Sequence, residues 1–187
     1  MPDNFSLMIH GGAGALAHIR REGSEADFME SMHRILEAGR HVLAGGGTAL
    51  DAVEICARLL ENDPLYNAGH GSVLNEYGEV EMDASIMDGQ GLGAGAVAGI
   101  TNVKNPITLA RRVMDKSEHV MLIGKGAMEF AKLCDVDIMT DDYFVIDARI
   151  RQWQEAQKAG GIMLDHEDAE PQQIGRASCR ERVCVGV

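Results

Sequence analysis

Apolar positions repeat with a helical period along the first third of this chain and with an alternating period after Gly71, and glycines or prolines mark each change. Phe5 to Ile9 is a short apolar run stopped by glycines, which predicts a buried strand. Ser24 with Asp27 forms a capping-box signal, and Phe28, Met32, Ile35, Leu36, Gly39, Val42 and Leu43 then share one helical face up to Gly45-Gly46-Gly47. Thr48 with Asp51 repeats that signal for a second helix with Val53, Cys56, Ala57 and Leu60 on its apolar face, closed by Pro64. Two antiparallel helices on a glycine turn are expected.

From Gly71 to Thr101 the alternation predicts strands at Val73-Leu74 and Val80 to Met87, around the turn Glu76-Tyr77-Gly78-Glu79, and a small-residue strand from Gly95 to Ile100. Asn105-Pro106 opens a helix with Ile107, Ala110, Val113 and Met114, since proline at the first helical position loses no hydrogen bond. A strand over His119 to Ile123, a helix over Gly126 to Cys134 and an amphipathic helix over Ile146 to Ala159 follow, and the chain turns polar from Asp165. Strands and helices come in pairs, so the fold class is α/β of the α+β kind, with helices on a largely antiparallel sheet.

At 187 residues the chain has the length of one domain, enough to bury about two-thirds of its unfolded surface. Its 45% hydrophobic and 25% charged residues are those of a globular protein, and no apolar run approaches the ~18 residues of a membrane helix. A net charge of -12 argues against nucleic acid or an anionic membrane as partner. No basic segment followed by an apolar stretch opens the chain. Cys56 and Cys134 are far apart, Cys179 and Cys184 lie near the end, and no Cys-x-x-Cys pair occurs. These features predict a cytoplasmic protein without a disulfide framework.

The turn His10-Gly11-Gly12-Ala13-Gly14 admits three readings. Gly12-x-Gly14-x-x-Ala17 after a strand mimics a phosphate loop, but no clear helix follows. An oxyanion loop would need a Gly-x-Ser-x-Gly elbow, which the sequence lacks, and the third reading is a tightly packed glycine turn. Gly93-Ala94-Gly95 leads into a strand and is no dinucleotide fingerprint. His33 and His41 share a helix without carboxylates at ligand spacing, which predicts solvated side chains. Glu79, Glu81 and Asp83 alternate along one strand face, a pattern of a solvated sheet surface. The block Leu60 to Gly71 differs in kind: proline, asparagine and two glycines after a helix make an irregular loop whose carbonyls cannot all join a ladder and can converge on a hard cation.

That block, together with His10 to Gly14, Glu81 to Gly89, and Gly95 to Gly99 leading into Asn105-Pro106, resembles the plant-type L-asparaginase and isoaspartyl peptidase family, in the same order over about residues 5 to 166. The resemblance implies a four-layer αββα sandwich of the N-terminal-nucleophile hydrolase type, of which this chain is the α-subunit-like portion. It implies hydrolysis of isoaspartyl (β-aspartyl) peptides and L-asparagine by a threonine freed through autoproteolysis, whose own α-amine serves as base. No catalytic cofactor is implied.

By the same resemblance, Asn67 matches the asparagine near the nucleophile and His10, Gly11 and Gly12 the loop that lines it. The main-chain carbonyls of Leu60, Glu61, Asp63, Tyr66, Ala68 and His70 match a structural sodium loop. The implied partners are a β subunit cut from the same precursor, which would carry the nucleophile, a second αβ pair in an (αβ)2 dimer, and a small-molecule substrate. The expected Gly-Thr junction after Asp165-His166 is replaced by a basic, cysteine-bearing run. The layout is therefore an α-subunit-like portion over 1–173 and a foreign, unstructured read-through tail over 174–187, and the chain alone is expected to be inactive. A glycosylasparaginase-like α subunit and a non-catalytic α-like binding fragment are the alternatives.

Overall fold

A computed structural model describes residues 5–12, 25–159 and 184–186. Ser24, Ala13-Gly14, Ala17, Asp165-His166 and residues 174–183 lie outside them, so the first capping box, the latter part of the glycine turn and the junction region are not described. In chain order the elements are β1 (Met8–His10), α1 (Glu25–Ala44), α2 (Ala49–Glu61), β2 (Met82–Met87), β3 (Ala94–Ile100), α3 (Pro106–Lys116), β4 (Met121–Ile123), α4 (Gly124–Leu133), α5 (Asp141–Phe144), α6 (Asp147–Ala159) and β5 (Cys184–Gly186).

The helical hairpin forms where its apolar period runs. Ile35 and Gly39 of α1 and Cys56 and Leu60 of α2 are buried against each other. The helices cross closely because Gly39 has no side chain: a Cβ there would lie 2.5 Å from Cys56 Sγ and 2.6 Å from Leu7 Cδ2. Thr48 closes the capping box, its Oγ1 accepting the Asp51 N–H at 3.1 Å while Asp51 Oδ2 accepts the Thr48 N–H at 3.1 Å. The hydrogen bonds from Thr48 hold the Asp51 carboxyl below its usual range.

β2, β3 and β4 form one sheet, β2–β3 antiparallel and β3–β4 parallel. The pairs β1–β5 and β2–β3 agree with the expected largely antiparallel pairing, and β3–β4 departs from it: α3 carries the chain back across, so β3-α3-β4 is a β-α-β unit. Met82, Ile86, Val97 and Ile100 face inward onto Ile107, Leu109, Ala110 and Val113 of α3, Ala127 and Ala131 of α4, and Phe144 of α5. α3 lies directly on β3 at Gly95, where a Cβ would fall 2.1 Å from the Ala110 carbonyl. The opposite face, with Ser85, Met87, Met121 and Ile123, is exposed.

Two further differences have local causes. Val73-Leu74 is not a strand, because the segment is held by a side chain, Asn67 Oδ1 accepting the Val73 N–H at 2.9 Å, instead of by a neighbouring strand. In the tail, Cys184–Gly186 pairs antiparallel with β1, Met8 opposite Gly186 and His10 opposite Cys184, so those three residues are not unstructured. They occupy the hydrogen-bonding edge that β1 would otherwise leave open.

Candidate functional site

The turn after β1 and the loop after α2, separate in sequence, meet at one aromatic ring. Gly11 sits on Tyr66, and a Cβ on Gly11 would stand 2.8 Å from Tyr66 Cε1 and 3.2 Å from Met32 Sδ. Gly12 has φ +120°, which favours glycine, and its N–H donates to His10 Nδ1 at 3.2 Å. Asn67, the next residue after Tyr66, turns its carboxamide oxygen back into the loop to accept the Val73 amide.

Asp63 organises the start of the loop. Its Oδ2 accepts the Ser31 hydroxyl at 2.6 Å and Arg34 Nη2 at 2.8 Å, its Oδ1 accepts the Leu65 N–H at 3.1 Å, and its carbonyl accepts the Tyr66 N–H at 3.2 Å. The Tyr66 hydroxyl donates to Ser31 Oγ at 3.2 Å. Ser31, Asp63 and Tyr66 are all buried. Burial pushes the Tyr66 phenol above its ordinary range, so it remains a donor.

Glu61, the last residue of α2, reaches the N-terminus of α3. Its Oε1 accepts the Ile107 N–H at 2.9 Å and its Oε2 the Asn105 carboxamide at 3.1 Å, while Asn105 also donates to Asn62 Oδ1 at 3.0 Å. A side chain from another helix thus satisfies an amide that α3 cannot pair internally, where Asn105 itself makes no side-chain cap. Burial pushes the Glu61 carboxyl up to about 8, against the opposing pull of the Ile107 amide, Asn105 and Arg58. His70 closes the loop, its N–H donating to the Glu61 carbonyl at 2.7 Å and its Nδ1 bonded to the Tyr143 carbonyl.

The loop backbone is tightly folded at its glycines. Gly69 (φ +52°) and Gly71 (φ +110°) leave space that a Cβ would fill: at Gly69 it would meet the Glu61 carbonyl at 2.3 Å, at Gly71 the Pro64 and Tyr66 carbonyls at 2.9 and 3.1 Å. The carbonyls of Glu61 and Asp63 each accept one backbone N–H, from His70 and Tyr66, while that of Leu60 accepts those of both Asn62 and Asp63. Main-chain oxygens are ligands of the kind a hard cation accepts. Among the described residues no group of three or more His, Cys, Asp or Glu gathers at metal-binding distance. His33, His41, Glu79, Glu81 and Asp83 are exposed and join no site.

Sequence reasoning missed Ser31 and the role of Asn105. Ser31 carried a readable signal, a polar residue on the apolar stripe between Phe28 and Ile35 of α1. Asn105 announced only a helix start, and its bond to Glu61 spans 44 residues of chain.

This mixed α/β chain, with its glycine turn seated on a polar loop, matches a family model described as Asparaginase over residues 3–187. It belongs to that asparaginase family. It is 47% identical over 156 residues to a plant-type L-asparaginase of Thermococcus kodakarensis, covering 82% of this chain and 48% of the relative. It is 42% identical over 164 residues to an isoaspartyl peptidase of Salmonella typhimurium (87% and 52%), and 41% identical over 173 residues to one of Escherichia coli (90% and 54%). The chain spans about half the length of the curated relatives it matches.

Proposed function

We propose that this chain is the α-subunit-like portion of an N-terminal-nucleophile hydrolase that cleaves isoaspartyl (β-aspartyl) peptides and L-asparagine. The observation that carries the reading is the junction of Gly11 with Tyr66, which brings the glycine turn and the polar loop into one wall. Identities of 41–47% to proteins named for those two activities support it. In this reading His10, Gly11 and Gly12 line the reacting centre, and Asn67 lies near the nucleophile. That nucleophile is a threonine exposed by self-cleavage and supplied by the β-subunit portion. Its α-amine takes the hydroxyl proton as the oxygen attacks the substrate carbonyl, so no cofactor is needed for the chemistry.

The exposed sheet face, with Met87 60%, Met121 52% and Ile123 65% accessible, supports a second sheet from the β portion covering it, which would complete the αββα sandwich. The (αβ)2 dimer and a cytoplasmic location belong to the same proposal. So does a sodium ion held by main-chain oxygens of Leu60, Glu61, Asp63, Tyr66, Ala68 and His70, where it would fix the loop beneath the turn and take no part in bond making.

The test is to produce the full-length protein and assay β-aspartyl dipeptide hydrolysis and ammonia release from asparagine, with electrophoresis to count fragments. Two fragments and turnover are expected. Replacing the threonine at the new N-terminus by alanine should abolish both, and the 187-residue chain alone should show neither. An uncut, inactive full-length protein overturns the reading.

A further inference from the structure

Among the described residues, the His10–Gly12 turn has a local restraint in the bond from the Gly12 N–H to His10 Nδ1. Beyond the pairing of His10 with Cys184, Tyr66 lies beneath Gly11 with Met32 beside it. The Tyr66 ring is fixed from several directions. Phe28 meets it edge-on, with centroids 5.9 Å apart at 87°. Its hydroxyl is held by Ser31, whose own proton is committed to Asp63, so the donor order Tyr66 to Ser31 to Asp63 runs one way. Its backbone N–H is held by the carbonyl of that same Asp63. One carboxylate residue therefore governs both ends of the tyrosine.

Stability alone gives little reason for such a chain, since replacing buried hydrogen-bonding partners together by apolar groups of like shape is nearly neutral. What apolar packing would not supply is a fixed azimuth for the ring. We propose that Tyr66, clamped by Ser31 and Asp63, is the positioning residue for the His10–Gly12 turn: its ring sets where the Gly11 and Gly12 amides point. The consequence for catalysis rests on the reading that this turn lines the reacting centre.

The experiment uses the full-length protein with Tyr66→Phe, which keeps the ring and removes the hydroxyl, Ser31→Ala, and their double variant. Hydrogen exchange at the Gly11 and Gly12 amides, melting temperature, self-cleavage rate, and kcat and KM on a β-aspartyl dipeptide are measured separately. Each single variant should speed exchange at both glycines and lower kcat and self-cleavage about tenfold, with KM little changed. The double variant should be no worse than either single, because both break the same chain. Leu59→Ala, which loosens the same cluster but removes none of the Tyr66–Ser31–Asp63 hydrogen bonds, should lower the melting temperature yet leave Gly11 and Gly12 exchange unchanged. Unchanged glycine exchange in Tyr66→Phe overturns the proposal, as does an equal rise in Leu59→Ala. If exchange rises in Tyr66→Phe but the unmodified full-length protein neither cuts itself nor hydrolyses substrate, the positioning role stands and the activity reading falls.

Discussion

The two buried clusters among the described residues are built on opposite principles. Beneath the sheet, Met82, Ile86, Val97, Ile100, Leu109, Val113 and Phe144 pack as an apolar core. Around the helical hairpin, Ile35, Cys56, Leu60 and Tyr66 share the interior with buried Ser31, Asp63 and Glu61. Apolar burial stabilises without direction, whereas buried hydrogen bonds contribute modestly and demand geometry. The sheet core therefore sets whether the chain folds, and the hairpin cluster sets where the turn and loop sit.

Removing a large side chain from the first cluster should give the largest loss. Phe144→Ala should cost about 3–5 kcal/mol in urea unfolding, from lost transfer energy and the cavity left behind. It should leave exchange at Gly11 and Gly12 unaltered, and a rise there would break the contrast between the clusters. Asp63→Ala should cost about 2–4 kcal/mol, because the Ser31 hydroxyl and the Leu65 N–H lose their acceptor inside the protein. Its ion pair with Arg34 adds little to that figure, since the arginine is 65% exposed. Here the glycine turn should loosen as well, and a variant that lost stability without loosening it would again break the contrast.

Glu61 sharpens the comparison through pH. Its carboxyl titrates near 8 in the folded chain against an ordinary 4.5, with burial as the main cause. Between those values the folded chain keeps a proton that the unfolded chain has released, so this group makes stability fall as pH rises across the window. Glu61→Gln should flatten that slope relative to the unmodified protein, as read from urea midpoints at pH 5 and pH 8. An identical slope would show that the carboxyl is not buried in solution. The smallest effect belongs to the surface: Thr48→Ala removes one side of the capping box and should cost about 1 kcal/mol, without change at the loop.

Periodicity made the helices of both clusters readable. The stripe from Phe28 to Leu43, the Thr48–Asp51 box and the Asn105-Pro106 start each reported a local preference that the fold keeps. α5 was missed because four residues give no period to read, and β4, expected within His119 to Ile123, was foreseen as a strand but not as parallel, because strand direction depends on how α3 returns the chain. The pairing of turn and loop was suggested by family resemblance. Its physical link was not, since the Gly11–Tyr66 contact and the Ser31–Asp63 bond join distant segments through single side chains. Local patterns encode periods, and long-range polar contacts have none.

Asn105 also bears on how the molecule ages. Asparagines decay when the backbone nitrogen of the following residue attacks the side-chain carbonyl, closing a succinimide that reopens mostly as isoaspartate. The residue after Asn105 is Pro106, whose ring nitrogen has no hydrogen to lose and cannot complete that imide. The one carboxamide that ties Glu61 to Asn62 at the head of α3 is thereby shielded from the lesion that this family's isoaspartyl peptidases are named for. Asn62, the other carboxamide of that joint, precedes Asp63 and has no such protection, so the joint would age from the α2 side first.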